Sequence, residues 1–552
     1  MRLLLAGALA TMTAAGLAAI RPALLTDEER AAASTIRENR MRADVRFLSS
    51  DLLEGRGPAT RGDRLAREYL ASRFEAIGLE PGAPGGGWEQ GFDLVGVTAA
   101  CPEVLRVSRG AAGADLRFRE DYVAFSGTQA PEARVDDAEV VFVGYGIVAP
   151  EHGWDDFKGA DLKGRVLLVM NNDPESDPRA FAGKRRLYYG RWDYKYEMAA
   201  RVGAAGAIIV HTDASAGYGW QVLQSSWTGE KLSLPAVPGE PTLPVKAWAT
   251  EEACRRIARL GGHDLDALRA AAERRDFRPV PLGVRLSLAL RNEVSRRPTA
   301  NVIGRLAGRD PVLSDEAVVY SARHDHLGAK PGPGGEPVVY NGALDNASGL
   351  ATMLAIAEAF VARPERPRRS ILFAAVAAEE QGLLGSSYLA RHSPGRLAAN
   401  VNIDAVGIWG RTRDVPVIGL GKSSLDDWVR AIAEAQGRAV VPEALPDKGS
   451  YYRSDHLSFA RAGVPAVTVD AGTEVLGKPP GWGRDRQREW ESAHDHQPTD
   501  DLTGWDFSGA IEDAQLLFLL GAKVADSPLA PSWRPGDEFE PARQKALAEL
   551  GR

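Results

Sequence analysis

Cysteine is nearly missing from this chain: two residues, Cys101 and Cys254, in 552. A Cys-based zinc motif is therefore excluded, and at most one disulfide could form in an oxidising compartment, two spectator thiols being the other outcome. Excess positive charge is also absent. The formal charge is -7, with acids and bases interspersed, so no basic stripe is available for a phosphate backbone and no nucleic-acid partner is expected. Long apolar runs are confined to the N-terminus, and no other segment could cross a bilayer. Residues 1–25 combine Arg2, a Leu- and Ala-rich run and then small residues, which reads as an export signal, with an uncleaved anchor as the alternative. The expected location is secreted or periplasmic, with no stable membrane insertion once the signal is removed.

What is present is enough apolar residue to fill more than one core, and 552 residues imply two domains, one of which can be inserted in the other. Residues 36–80 read as helical, with apolar Leu65, Tyr69, Leu70, Phe74 and Ile77 at a helical period, until "EPGAPGGGW" stops the pattern. Residues 36–120 are taken as the first part of the main domain. Between 130 and 265 the texture changes to short β-branched runs such as "AEVVFVGYGI", "GRVLLVMNN" and "AAGAIIVHTD", which predict a small strand-rich insert. A Pro-rich connector near 278–300 follows. From 295 to 525 strand and helix patterns alternate, predicting an α/β fold with a mostly parallel mixed sheet covered by helices on both faces. Residues 528–552 read as a loose polar tail.

Polar residues collect where the predicted strands end: His324, Asp325 and His326 in "YSARHDHLG", Asp345 in "NGALDNASG", Glu379 and Glu380 after "ILFAAVAA", Asp404 after "NVNI", "SDH" at 454–456, and His494 and His496 in "HDHQPTDD". Ligand sites in parallel sheets lie beyond the carboxyl ends of the strands. Recurrence at four or five strand ends favours a metal site over solvated loops. Of two adjacent glutamates, one can hold a metal and its neighbour can serve as general base. Mixed imidazole and carboxylate donors suit zinc, manganese or cobalt better than calcium.

These motifs in this order resemble the M28 zinc peptidases of the co-catalytic aminopeptidase type. The resemblance runs through "SSDLLEGRGPATRGDRLAREYLASRFEAIGLEP", "ARHDHLG", "NGALDNASGLA", "AAEEQGLLGSSYL", "NIDAVG", "SDHLSFARAGVPAV" and "HDHQPTDD". It covers about 36–110 and 298–525. The stretch between is similar to a protease-associated domain, through "WDDFKGADLKGRVLLV" and "KYEMAARVGAAGAIIV". The resemblance implies a zinc-exopeptidase fold of the phosphorylase/hydrolase-like kind and cleavage of N-terminal residues from peptide or protein substrates through a metal-activated water. Two zinc ions are implied, with Asp345 bridging them, Glu380 and His496 completing one, and Asp404 plus a histidine of the first motif completing the other. Glu379 would be the general base and Asp325 would keep an orienting role.

The first motif departs from the family, which reads Ala-His-x-Asp where this chain has Ala322-Arg323-His324-Asp325. Arg323 falls on the ligand position, and a one-residue step along a strand points His324 to the opposite face. Three arrangements are open: a bulge brings His324 to the metal; a single zinc sits on Asp345, Glu380 and His496; or no productive metal binds and Arg323 pairs with Asp345 or Asp404 as a substitute cation. The competing functions are a mono-zinc acyl-transfer or cyclising enzyme of the same fold and a non-catalytic binding protein. Of the remaining polar residues, Asp51 and Glu54 read as a structural turn, His494 as surface, His456 as a pocket wall or a loop-bonded residue, and His152 and His211 as unrelated to the chemistry.

Overall fold

The computed structural model describes residues 25–176, 181–183 and 185–550, so the predicted export signal lies almost wholly outside the described residues. The main body is built on β1 (Glu89–Ala100), β2 (Val280–Leu306), β3 (Glu316–Arg323), β4 (Ser370–Val376), β5 (Arg396–Asn402), β6 (Asp414–Ile418), β7 (Ala439–Pro442) and β8 (Ala466–Val469). Their spatial order is β1-β2-β4-β3-β5-β8-β6-β7, with β4, β3, β5 and β8 parallel and antiparallel pairings on either side. All seven residues of β4 are buried, as expected of a central parallel strand covered on both faces. One face carries α1 (Glu38–Leu48), α2 (Arg61–Ile77), α3 (Gly349–Val361) and α6 (Ser508–Asp526); the other carries α4 (Leu384–Arg391) and α5 (His456–Arg461). This is the predicted α/β class. Helix α2 starts where Thr60 accepts from the Asp63 amide and stops at Gly78, whose φ of 96° suits a residue without Cβ.

The second body is strand-rich, as expected, but its limits differ from the sequence reading. Strands Val104–Arg109, Ala112–Arg117 and Tyr122–Ser126 share its core, which runs from Leu105 to Leu290, so residues from about 104 onward belong with the insert rather than with the first part of the main domain. The stretch near 278–300 is no connector. It is part of β2, a strand of 27 residues that pairs with Glu132–Phe142 of the insert at one end and with β1 and β4 of the main sheet at the other. Alternation in "PLGVRLSLALR" buries Leu282, Val284, Leu286, Leu288 and Leu290 in turn, and this two-residue period outweighs Pro281. The C-terminal segment is also not loose. Trp533 and Phe539 are buried in the insert-side core, Lys422 Nζ binds Asp537 Oδ2 at 2.9 Å and Glu538 Oε1 at 2.7 Å, and a helix spans Glu540–Leu550. Cys101 and Cys254 are free thiols.

Candidate metal centre

Alternation along β3 decides the fate of the first motif. Val318, Tyr320 and Ala322 face the core under α3 and α6, while Ala317 and Val319 face the opposite core. His324 follows the first set. Its Nε2 lies 2.8 Å from Asp63 Oδ1 of α2 and its Nδ1 lies 3.3 Å from the Ala375 carbonyl, with both side chains fully buried. The candidate ligand His324 is therefore corrected: no bulge turns it, and it is bound to a structural aspartate on the far face.

Arg323 points the other way, into the acids. Its Nη1 is 2.6 Å from Glu380 Oε1, its Nε is 3.3 Å from Glu379 Oε2 and 3.4 Å from Asp404 Oδ1, and its Nη2 is in close contact with Asp345 Oδ1. Burial opposes its charge, but Glu380, Glu379 and Asp404 overcome this and hold the guanidinium even more firmly protonated than usual.

On the other side of Asp345, side chains that could hold a metal ion converge. His496 Nε2 lies 3.2 Å from Asp345 Oδ2 and 3.3 Å from Glu380 Oε1; His326 Nδ1 lies 3.1 Å from Glu380 Oε1 and 3.6 Å from Asp345 Oδ2. Donors on a tetrahedral zinc with bonds of about 2.0 Å stand roughly 3.3 Å apart, and each of these four pair spacings is close to that. Burial pushes the His326 pKa down to about 4 and keeps the imidazole neutral, the form that ligates a metal. Glu380 would be raised by burial, yet Arg323, His326 and His496 together hold it well below the usual carboxylate range. Glu379 is pushed well above that range by burial and by Glu380, Asp455 and Asp404, against the pull of Arg323. Among the described residues two donor groups share Asp345, one with His326 and Glu380 and one with Asp495 and His496, and Asp404 joins neither.

The loops that carry these groups are tied down from behind. Asp325 accepts from the amides of Glu379 (2.9 Å) and Glu380 (3.3 Å), so it orients the pair rather than facing the cleft. Asp500 accepts from the amides of Leu344 (2.9 Å) and Asp345 (3.1 Å). Arg56, wholly buried, donates to the carbonyls of His324 (2.9 Å), Asn341 (2.7 Å) and Gly342 (2.9 Å), which is what the "SSDLLEGRG" turn does for the site. Asp51 and Glu54 in the same turn bind Asn341 and Arg61. His456 is buried against Tyr451, and His494 binds Thr499 at the surface.

Sequence reasoning missed His326 as a donor, because it lies past the end of β3 where strand parity no longer tells direction. It also missed Arg56, Asp63 and Asp500. A cue for Arg56 was its place in a turn rich in glycine, where backbone carbonyls of another loop can approach; nothing local marks Asp63 or Asp500.

Residues 301–519 match the pattern of the family described as Peptidase family M28. Among curated proteins, a "Probable zinc metalloprotease" of Pyrenophora tritici-repentis is 45% identical over 69 residues, 12% of this chain and 15% of that protein. "Aminopeptidase YwaD" of Bacillus subtilis is 29% identical over 178 residues, 31% of this chain and 36% of that one. These matches span well under two thirds of the relatives' lengths. Among solved structures, an aminopeptidase from Aneurinibacillus sp. strain AM-1 is 19% identical with a TM-score of 0.48, covering 92% of this chain and 98% of that one.

Proposed function

We propose, from the match of residues 301–519 to the family described as Peptidase family M28, that the protein is an exported zinc-dependent metallopeptidase, an aminopeptidase that removes N-terminal residues from peptides. One observation carries the reading: His326, Asp345 and Glu380 form a donor group immediately beside Glu379, and His496 stands 3.2 Å from Asp345 and 3.3 Å from Glu380. Zinc held there would supply Lewis acidity, polarising the peptide carbonyl and acidifying water. Everything else is done by the chain. Glu379 takes the proton from the attacking water and returns it to the leaving amine, and Asp325 fixes the backbone of both glutamates so that base and ligand keep their separation.

A cavity of about 330 Å³ opens onto Glu379 and Glu380. Its opposite wall is Arg191 and Trp192 of the insert, which supports the reading of that body as a protease-associated domain shaping access to the cleft. The test is direct. Purified full-length protein, loaded with zinc, is offered aminoacyl-nitroanilides and short peptides with free or acetylated N-termini. Release of free N-terminal amino acid that stops on chelation and on acetylation is expected. Metal-loaded protein that cleaves none of these peptides would overturn the reading.

A further inference from the structure

The two oxygens of Asp345 serve different partners. Oδ2 faces His496 and His326, while Oδ1 is taken by Arg323 Nη2, and on its far side the same guanidinium meets Asp404 Oδ1. Asp345 thus bridges the imidazole side of the site to an arginine, and the space it shares with Asp404 is filled. We infer that Arg323 is a fixed internal cation standing where a second metal ion would sit, so that the protein binds one zinc per chain. The inference rests on the zinc reading above.

Charge and geometry agree on it. Asp345, Glu379, Glu380 and Asp404 bring four carboxylates to one buried place. One dication and the guanidinium bring three positive charges to these four carboxylates; two dications beside the guanidinium would bring five. A guanidinium stays protonated and has no lone pair to offer a metal, so it cannot serve as the ligand a histidine would be here. Moreover, the histidine next to it is spent on Asp63.

Metal content settles the matter without any assay of activity. The full-length protein is equilibrated with excess zinc, freed of unbound ion and analysed, and a parallel cobalt titration is followed by absorption. One ion per chain and a single-phase titration are expected for the wild type, two ions for Arg323→His, and one again for the double variant R323H/D404A. Two ions in the wild type would overturn the inference alone; no bound ion would overturn the zinc reading beneath it. Should Arg323→His fail to fold, the wild-type stoichiometry still decides.

A separate observation concerns the cavity over Glu379 and Glu380, whose rim holds Arg186, Arg191, Lys448 and Arg453. Arg191 is paired with Asp193 at 3.1 Å, and Arg186 bonds the Ser215 carbonyl at 3.4 Å and is balanced by the nearby charges of Asp173, Glu175 and Asp447. Lys448 and Arg453 have no carboxylate within ion-pair range among the described residues. In a chain of net charge -7, two cations without an ion-pair partner, Lys448 and Arg453, on the cavity that holds the glutamate pair are a built contrast. We propose that this rim binds a carboxylate of the peptide, so that the enzyme favours acidic or short substrates. This too rests on the peptidase reading.

Matched peptides distinguish the sources of the carboxylate: Ala-Asp against Ala-Asn for a side chain, and Ala-Ala against its C-terminal amide for a free end. At least one acidic member is expected to show a lower KM by about tenfold, lost in the double variant K448E/R453E while the neutral members are unchanged. Equal kcat/KM within both pairs would overturn the proposal. Failure to cleave any of the four would count against the peptidase reading instead.

Discussion

His324 and Asp63 form a closed pair, Nε2 to Oδ1 at 2.8 Å with neither side chain exposed, and this pair fastens the end of β3 to α2 on the face away from the carboxylates. Asp63 is further held by Thr299 Oγ1 at 3.0 Å and by Arg67 Nε at 3.4 Å. The motif's second basic residue is thus an anchor, and its neighbour is free to point into the site.

Replacing His324 by Ala should therefore cost stability and leave metal binding alone. The buried Asp63 carboxylate would lose its main partner, for a loss of about 3 kcal/mol. A lower denaturation midpoint with unchanged zinc content is the expected result; loss of zinc at unchanged stability would contradict the assignment.

Asp325→Asn should act on chemistry more than on folding. Asparagine offers one acceptor oxygen where Asp325 supplies two, to the Glu379 and Glu380 amides. Activity and zinc affinity are each expected to fall by roughly 10- to 100-fold, as is usual when the support behind a metal ligand is removed. Kinetics and a zinc titration of the same preparation check both.

In the insert, Asp156 of the "WDDFKG" motif accepts from the Ile147 amide at 2.9 Å and from Trp154 Nε1 at 2.8 Å, and burial pushes its pKa up to about 6. Its folded value lies above the ordinary value of 3.8, so between these two pH values the folded chain holds a proton that the unfolded chain has released. Stability contributed by this group therefore falls as pH rises across that window, by up to about 3 kcal/mol at 1.36 kcal/mol per pKa unit. Asp156→Asn should flatten that slope in denaturation midpoints taken from pH 4 to pH 6.

The fold and most of the donors were legible because both obey short-range rules. Strand ends carried Asp345, Glu379, Glu380 and Asp404, and the two-residue period of a strand set Arg323 and His324 on opposite faces. What was not legible depended on contacts far apart in the chain. Asp63 is 261 positions from His324 and Asp500 is 155 from Asp345, and no pattern in one sequence couples them. The limits of the insert were misplaced for a related reason. Pro281 and Pro298 suggested a connector, but each sits where the ladder tolerates it, Pro281 beside an irregular register with Val141 and Pro298 opposite Asp93.

The long strand β2 has a consequence for how this protein can evolve. Because one unbroken backbone belongs to both bodies, it acts as a ruler that fixes how far the insert's wall stands from the glutamates, at about 3.3 Å per residue. Loss of one residue near its middle would not merely shorten that reach; it would turn the whole insert over relative to the catalytic sheet. Length changes that come in pairs keep both faces of this segment in place, each pair resizing the mouth of the cleft by a fixed step, whereas a single-residue change calls for a bulge such as those already present near Pro281 and Leu286.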